Sequence, residues 1–293
     1  MSIALQVALV MVTILVVLLV IGAPIGVAIG MSSAVSMICM IPADVSFATS
    51  AQRIFAGSNS FSLIAIPFFI LAGNIMNNGG IATRLVNCAK VISGRMPGAL
   101  AQSNVVANML FGAISGSGAA AAAAMGGTIG PLEEKEGYDK NYSTAVNVAS
   151  APVGMLIPPS NTMIVYSSVA GSVSIAALFM AGYIPGLLWG GAVMILAGIM
   201  AKKRGYQAEQ RVPVKVALKT FWQAIPSLLL IVIVIGGILG GIFTATEGSA
   251  IAVVYATVLS LIYKAFKIKD IPRIVLEAAK TTGIITFMIG LSS

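Results

Sequence analysis

The sequence predicts an all-α polytopic membrane protein built as an inverted repeat, with a re-entrant helical hairpin, a broken helix and a truncated second repeat. Three observations carry this. The 293 residues are 58% hydrophobic and 9% charged, with a mean hydropathy of +0.99, against roughly 25% charged in soluble domains. The charges are segregated, with none in residues 1–43, 54–83, 96–132 or 141–201, and each gap can hold one or two spans of about 20 residues. Two of the gaps are interrupted, one by Ser115-Gly116-Ser117-Gly118 and one by Pro158-Pro159.

Orientation is anchored on Lys202, Lys203, Arg204, Arg211, Lys215 and Lys219, set against the single acid Glu209. Such basic flanks mark the cytoplasmic side. The first apolar run lacks a positive n-region and continues uncharged past Gly22-Ala23-Pro24, so it reads as two mature spans and not as a secretory signal. Counting spans back from the anchor puts the N-terminus in the periplasm, with Asp44 and Arg53 outside. One span over residues 60–76 returns the chain to Arg84, Lys90 and Arg95, again on the basic, inner side.

Residues 97–132 must then enter and leave on one side. Ala119 to Ala124 and Gly126-Gly127 are small and unsuited to face lipid. A re-entrant hairpin turning at Ser115 to Gly118 satisfies both demands, provided that protein or water covers its irregular backbone. The mixed-charge turn 133–140 lies inside, a broken helix over about 143–172 leads out, and a span over 175–200 leads back in. Residues 210–222 place Arg211, Lys215 and Lys219 on one helical stripe, as an interfacial helix or a solvated connector would. From Lys219 to Lys264 the only charge is Glu247, which suits two spans joined near Phe243-Thr244-Ala245-Thr246. Glu247 is then either a functional acid in an apolar region or a hydrated capping carboxylate.

Sliding the chain on itself by about 220 residues superposes Gly22-Ala23-Pro24 on the turn near Phe243, and Arg53-Ile54 on Arg273-Ile274; inverted repeats of this kind place binding sites at the midplane. The domains predicted are residues 1–57 (scaffold helices and arm), 58–200 (a transport part holding both interruptions), 201–280 (scaffold helices and arms opening the second copy) and 281–293 (the start of its transport part). A complete second copy would need roughly another 130 residues.

Composition also excludes. There is no histidine, so a His metal site, base or proton relay is absent. The net charge of +8 is accounted for by basic flanks of apolar runs, so no nucleic-acid partner is expected; the partner is the lipid bilayer. Cys39 and Cys88 read as small buried hydrophobes.

The candidate site is built from the two interruptions. Ser115, Gly116, Ser117 and Gly118 offer hydroxyls and freed carbonyls to a hard cation, and Gly154 and Pro158 free further backbone oxygens. Asn104, Asn108, Asn147, Pro152, Ser160, Asn161 and Thr162 are the candidate substrate residues. Half-helices starting near Ala119 and Ser160 would aim positive ends at an anion. Tight helix packing is the competing role for the small residues, and a lipid-facing kink for the prolines. No lysine or arginine lies in either segment, so a bound carboxylate would meet dipoles, amides and hydroxyls, which favours a co-transported cation.

At Ala65-Ile66-Pro67-Phe68-Phe69-Ile70-Leu71-Ala72-Gly73, Ala113-Ile114-Ser115-Gly116-Ser117, Gly137-Tyr138-Asp139, Leu156-Ile157-Pro158-Pro159-Ser160, Gly182-Tyr183-Ile184-Pro185-Gly186 and Gly241-Ile242-Phe243-Thr244-Ala245-Thr246-Glu247, the chain resembles the large permease subunit of tripartite ATP-independent periplasmic (TRAP) transporters. The resemblance implies an inverted-repeat elevator carrier of the bacterial inner membrane, coupled to sodium ions. It implies a small four-helix TRAP membrane subunit and a periplasmic substrate-binding protein as partners, and a small organic acid (sialic acid, a C4-dicarboxylate or a sugar acid) as substrate. Sodium and substrate would sit at Ser115 to Gly118 and at the break from Pro152 to Thr162. Gly118 stands where the family commonly has a second serine. The alternative is a carrier or channel for anions from another inverted-repeat family. An enzyme is not expected, because the spans hold no paired acids and no metal-ligand cluster.

Overall fold

The computed structural model describes residues 3–171, 173–206 and 213–293. Every regular element among them is helical. Six helical segments are long and apolar enough to cross a membrane: Ile3–Val20, Phe61–Asn78, Ile175–Lys203, Val214–Leu239, Ala245–Ile262 and Ile268–Ser292. A seventh candidate is the pair Lys140–Leu156 and Asn161–Ala170, bent by 50° at its break. The chain divides into two compact units, residues 1–63 with 280–293, and residues 64–279.

In the first unit α1 (Ile3–Val20) and α2 (Ile25–Ile38) are joined by a tight turn in which Gly22 has φ of 86°, a left-handed conformation that glycine adopts at no steric cost. The sequence predicts two full spans here. α2 has 14 residues, about 21 Å at 1.5 Å per residue, which is short of the roughly 30 Å bilayer core. Pro42 ends that apolar stretch by starting α3 (Ala43–Ser58). Cys39, expected to be buried, is exposed at the end of α2, whereas Cys88 in the other unit is buried. Glycines admit residues 280–293 against α2 and α3, since a Cβ at Gly30, Gly57 or Gly290 would run into Leu291, Ser293 or Ser58.

The second unit is organised around α6 (Ala99–Ser115), which touches α4 (Ala65–Asn78), α5 (Ile81–Ser93), α7 (Gly118–Thr128), α9 (Lys140–Ser150), α10 (Val153–Leu156) and α12 (Ile175–Lys203). Leu100, Ala101, Val105, Ala107 and Phe111 of α6 are buried with Val86, Ala89, Met125, Ile129, Tyr142, Val146, Ala197 and Ala201. Because protein surrounds it, α6 also carries Gln102, Ser103, Asn104 and Asn108 fully buried, a load that a lipid-facing helix could not bear. Between α7 and α9 lies the short α8 (Gly130–Lys135), and after the break comes α11 (Asn161–Ala170).

α4 packs along α14 (Ala245–Ile262), where Gly79 leaves room for Ser260. α13 (Val214–Leu239) passes through Trp222 without interruption, so residues 214–222, expected as an interfacial helix or connector, are its opening turns. Arg211 of the predicted stripe, with Gln210 and Val212 of the predicted helix, lies outside the described residues. At 26 residues α13 is about 39 Å long, which carries Lys215 and Lys219 beyond a 30 Å core. The α13–α14 turn holds Gly241 at φ of 68°, left-handed like Gly22 in the α1–α2 turn. α15 (Ile271–Ser292) runs unbroken across position 280.

Candidate functional site

The hairpin turns where α6 meets α7. Gly116 closes α6 in the left-handed conformation, φ 61°, with its N–H donating to the Gly112 carbonyl at 2.8 Å. Ser117 is extended, φ −133°, and its Oγ accepts from the Ala120 N–H at 3.3 Å, capping α7. The Ser115 hydroxyl bridges the same turn, donating to the Ser117 carbonyl and accepting from the Ser117 N–H, each at 3.4 Å. The turn thus holds the negative end of α6 beside the positive end of α7.

The chain breaks a second time between α10 and α11. Ser160 is extended, φ −125°, and its hydroxyl donates back to the Met155 carbonyl and not to the helix that follows. Pro158 and Pro159 bring no N–H to this segment, so the carbonyls one turn earlier lack helical donors.

These two interruptions meet. A Cβ on Gly116 would lie 2.8 Å from the Asn161 backbone N, so only glycine allows the hairpin tip this close to the start of α11. Asn161 Nδ2 donates to the Ser115 carbonyl at 3.4 Å, while Asn161 Oδ1 is buried with no hydrogen-bond partner. From the other side Gly73 of α4 admits the tip, its absent Cβ falling 3.1 Å from Ser115 Cα. One turn below, Gly112 of α6 and Gly154 of α10 abut, and a Cβ on either would run into the other's Cα. Gly118 faces the α9–α10 junction, its missing Cβ 3.3 Å from the Ala151 carbonyl oxygen and from Met155 Cε. Ser115, Gly116, Ser117, Gly118, Gly154, Ser160 and Asn161 are therefore gathered in one place, with an unpartnered amide oxygen among them.

Of the remaining predicted residues, Pro158 lies in the break itself, and the others fall elsewhere. Pro152 and Thr162 line an apolar cavity of about 370 Å³ with Met155, Met163, Tyr166 and Trp189. Asn108 sits in a buried polar network further down α6, its Nδ2 within 2.9 Å of Asn104 Oδ1, 3.0 Å of Asn147 Oδ1 and 2.8 Å of Ser150 Oγ. Asn147 Nδ2 in turn donates to the Ala122 carbonyl of α7 at 2.9 Å. The network ties the hairpin to α9. Asn104 and Asn147 also line a second cavity, of about 360 Å³, with Glu133, Ser143 and Lys140. Eleven positions separate Asn104 from Ser115 on α6, about 16 Å along the axis.

Glu247 is resolved by geometry. Thr244 and Glu247 form a reciprocal capping box, with Glu247 Oε2 accepting from the Thr244 N–H at 2.7 Å and from its hydroxyl at 2.9 Å. Of the two roles left open by the sequence, this is the capping carboxylate. Sequence reasoning missed Gly73 and Gly112 as admitting residues, although Gly112 stands one helical turn before the tip, and it passed over Glu133 as part of a charged turn.

A chain whose described residues form only helices, six of them long and apolar enough to cross a membrane, with two helix interruptions meeting inside one unit, is a multi-pass membrane protein. Residues 12–293 match the family described as the tripartite ATP-independent periplasmic transporter, DctM component, and the chain belongs to that family as a DctM-like large permease subunit. It is 50% identical over 89% of its length to "Uncharacterized protein YgiK" of Salmonella typhimurium, covering 60% of that protein. It is 37% identical over 82% of its length to the C4-dicarboxylate TRAP transporter large permease protein DctM of Rhodobacter capsulatus, covering 58%. With the sialic acid TRAP transporter large permease protein SiaM of Vibrio cholerae the identity is 38% over 82% of this chain and 56% of that protein. The chain thus spans somewhat over half the length of these curated relatives.

Proposed function

We propose that this chain is the membrane-embedded part of a sodium-coupled secondary carrier that takes up a small organic acid across the bacterial inner membrane. It works with a small four-helix membrane subunit and a periplasmic binding protein that delivers the acid. The observation that carries the reading is the meeting of the hairpin tip with the helix break, where Gly116 lies against Asn161 and Asn161 Oδ1 is buried without a partner. A buried acceptor left empty costs about 1–3 kcal/mol, and a desolvated cation taking oxygens from Asn161, Ser115 and the freed carbonyls would remove that cost. The N-terminal ends of α7 and α11 supply fixed partial positive charge for a carboxylate next to the cation. The relatives named for C4-dicarboxylate and sialic acid transport support an organic acid as substrate. Loading and release by an elevator motion of the transport part, residues 58–200, against the scaffold helices, with the N-terminus periplasmic, complete the proposal. The counterpart turns at Gly22 and Gly241 support its inverted-repeat basis.

Ser115→Ala and Ser117→Ala, made in the full-length protein with both partners and reconstituted in vesicles, should raise the sodium concentration needed for half-maximal uptake by about tenfold, the loss of about 1.4 kcal/mol of ligation. An unchanged sodium response in both variants would refute the tip as the cation site. Counterflow of labelled acid separates a carrier from a channel, because only a carrier accelerates exchange from the opposite side.

A further inference from the structure

The cavity at the opposite end of the hairpin, about 360 Å³, holds chemistry that the transport reading does not use. It is lined by Asn104 of α6, Gly126 of α7, Glu133 and Glu134 of α8, Tyr138, and Lys140, Ser143 and Asn147 of α9. Glu133 is 1% exposed, and its Oε1 has no hydrogen-bond partner. Asn104 Nδ2, another buried polar atom on the same walls, is also unpartnered. No lysine or arginine pairs with Glu133 among the described residues; the ion pairs there are Arg204 with Asp139 and Arg273 with Glu277. A carboxylate sealed in this way, with neither a counter-ion nor a full set of donors, is strongly disfavoured against the neutral acid.

We propose that Glu133 is a proton-binding site, holding a proton while α8 lies against α9 and releasing it to water as α8 lifts and uncovers the carboxyl. The step is a simple ionisation in which the carboxyl O–H bond breaks, the proton leaves on water and the electron pair stays on the carboxylate. Burial pushes the Glu133 carboxyl from the ordinary 4.5 up to about 7, and the nearby Ser143 hydroxyl offsets only part of that rise.

The charged and titratable groups around the site are few. α6 and α7 contribute none. Glu134 shares the cavity from α8, where Lys135 and Glu136 follow it, and Tyr138 lines the cavity from the turn. From α9 come Lys140 on the cavity wall and Tyr142, whose hydroxyl donates to the Ala197 carbonyl at 2.8 Å. Asp139, which caps α9, is engaged by Arg204 at 3.1 Å. None of them neutralises Glu133, whereas an ionised Glu133 would draw water and Lys140 into the gap and loosen α8. The backbone bonds at stake are Glu136 N–H to Leu132 O and Tyr138 N–H to Glu133 O. α8 links the hairpin to the broken helix, so its closure is coupled to both.

Infrared titration of the protein in lipid vesicles tests the proton, and backbone hydrogen exchange tests the coupling. One protonated-carboxyl band should vanish as pH rises through about 7 and should be missing from both E133Q and E133M, which keep the site neutral. Exchange in residues 130–138, compared at equal pH, should match between wild type and E133Q near pH 6, and be about tenfold faster in wild type about one unit above 7. Loss of the band by about pH 5 overturns the proton site. Equal exchange in wild type and E133Q at every pH overturns its coupling to α8. Neither result bears on sodium at the hairpin tip, since Asn104 on this cavity's wall is about 16 Å from Ser115 along α6.

Discussion

Single residues decide how close helices come and where charge is tolerated. Glu133 is the sharpest case, because its folded-state carboxyl lies at about 7 against an ordinary 4.5. A raised acid leaves stability intact below the unfolded value and removes it as pH rises through the folded one. The protein should therefore lose stability between about pH 4.5 and about pH 7, by about 3 kcal/mol at the upper end. Thermal melts of wild type and E133Q across that window measure this, and E133Q should flatten the decline. Glu133 was not legible as special in the sequence, where Glu133-Glu134-Lys135-Glu136 reads as one solvated charge cluster. Burial selects one member of such a run, and that selection depends on how α8 meets α6, α7 and α9.

At the scale of elements, glycines placed where helices touch set the geometry of the site. α6 and α10 approach until Gly112 and Gly154 abut, and the tip of the α6–α7 turn reaches α11 only because Gly116 has no Cβ. Helices that associate without a hydrophobic drive between them rely on such close packing. Gly154→Ala should therefore cost about 1–3 kcal/mol by overpacking, read as a lower melting temperature. An equally stable variant would mean that α10 is free to shift and does not hold the tip. Boundaries of the long elements were largely legible, since the predicted span at 175–200 appears as Ile175–Lys203, and the joint expected near Phe243 to Thr246 overlaps the α13–α14 turn, with α14 starting at Ala245. Charge segregation and Gly/Pro punctuation are local signals. The shortness of α2 and the continuity of α13 through Trp222 were less legible, because an uncharged or amphipathic stretch does not announce its length.

For the whole molecule, the proposed orientation puts the basic end of α12 inside and residues 43–53 outside. A cysteine at Asp44, in a Cys39→Ser background, should react with a membrane-impermeant maleimide on intact spheroplasts, whereas one at Lys203 should react only after permeabilisation. The reverse pattern would invert the proposed topology. Membrane character, family and the location of both helix interruptions were determined by the sequence alone, because hydropathy, charge spacing and glycine or proline content belong to short stretches of chain. The tertiary structure alone decided that Gly116 rests against Asn161, that Asn104 lines a cavity remote from the hairpin tip, and that Glu133 is sealed from water. Each of these depends on which surfaces of distant segments come into contact, and packing between helices far apart in sequence leaves no periodic trace in either.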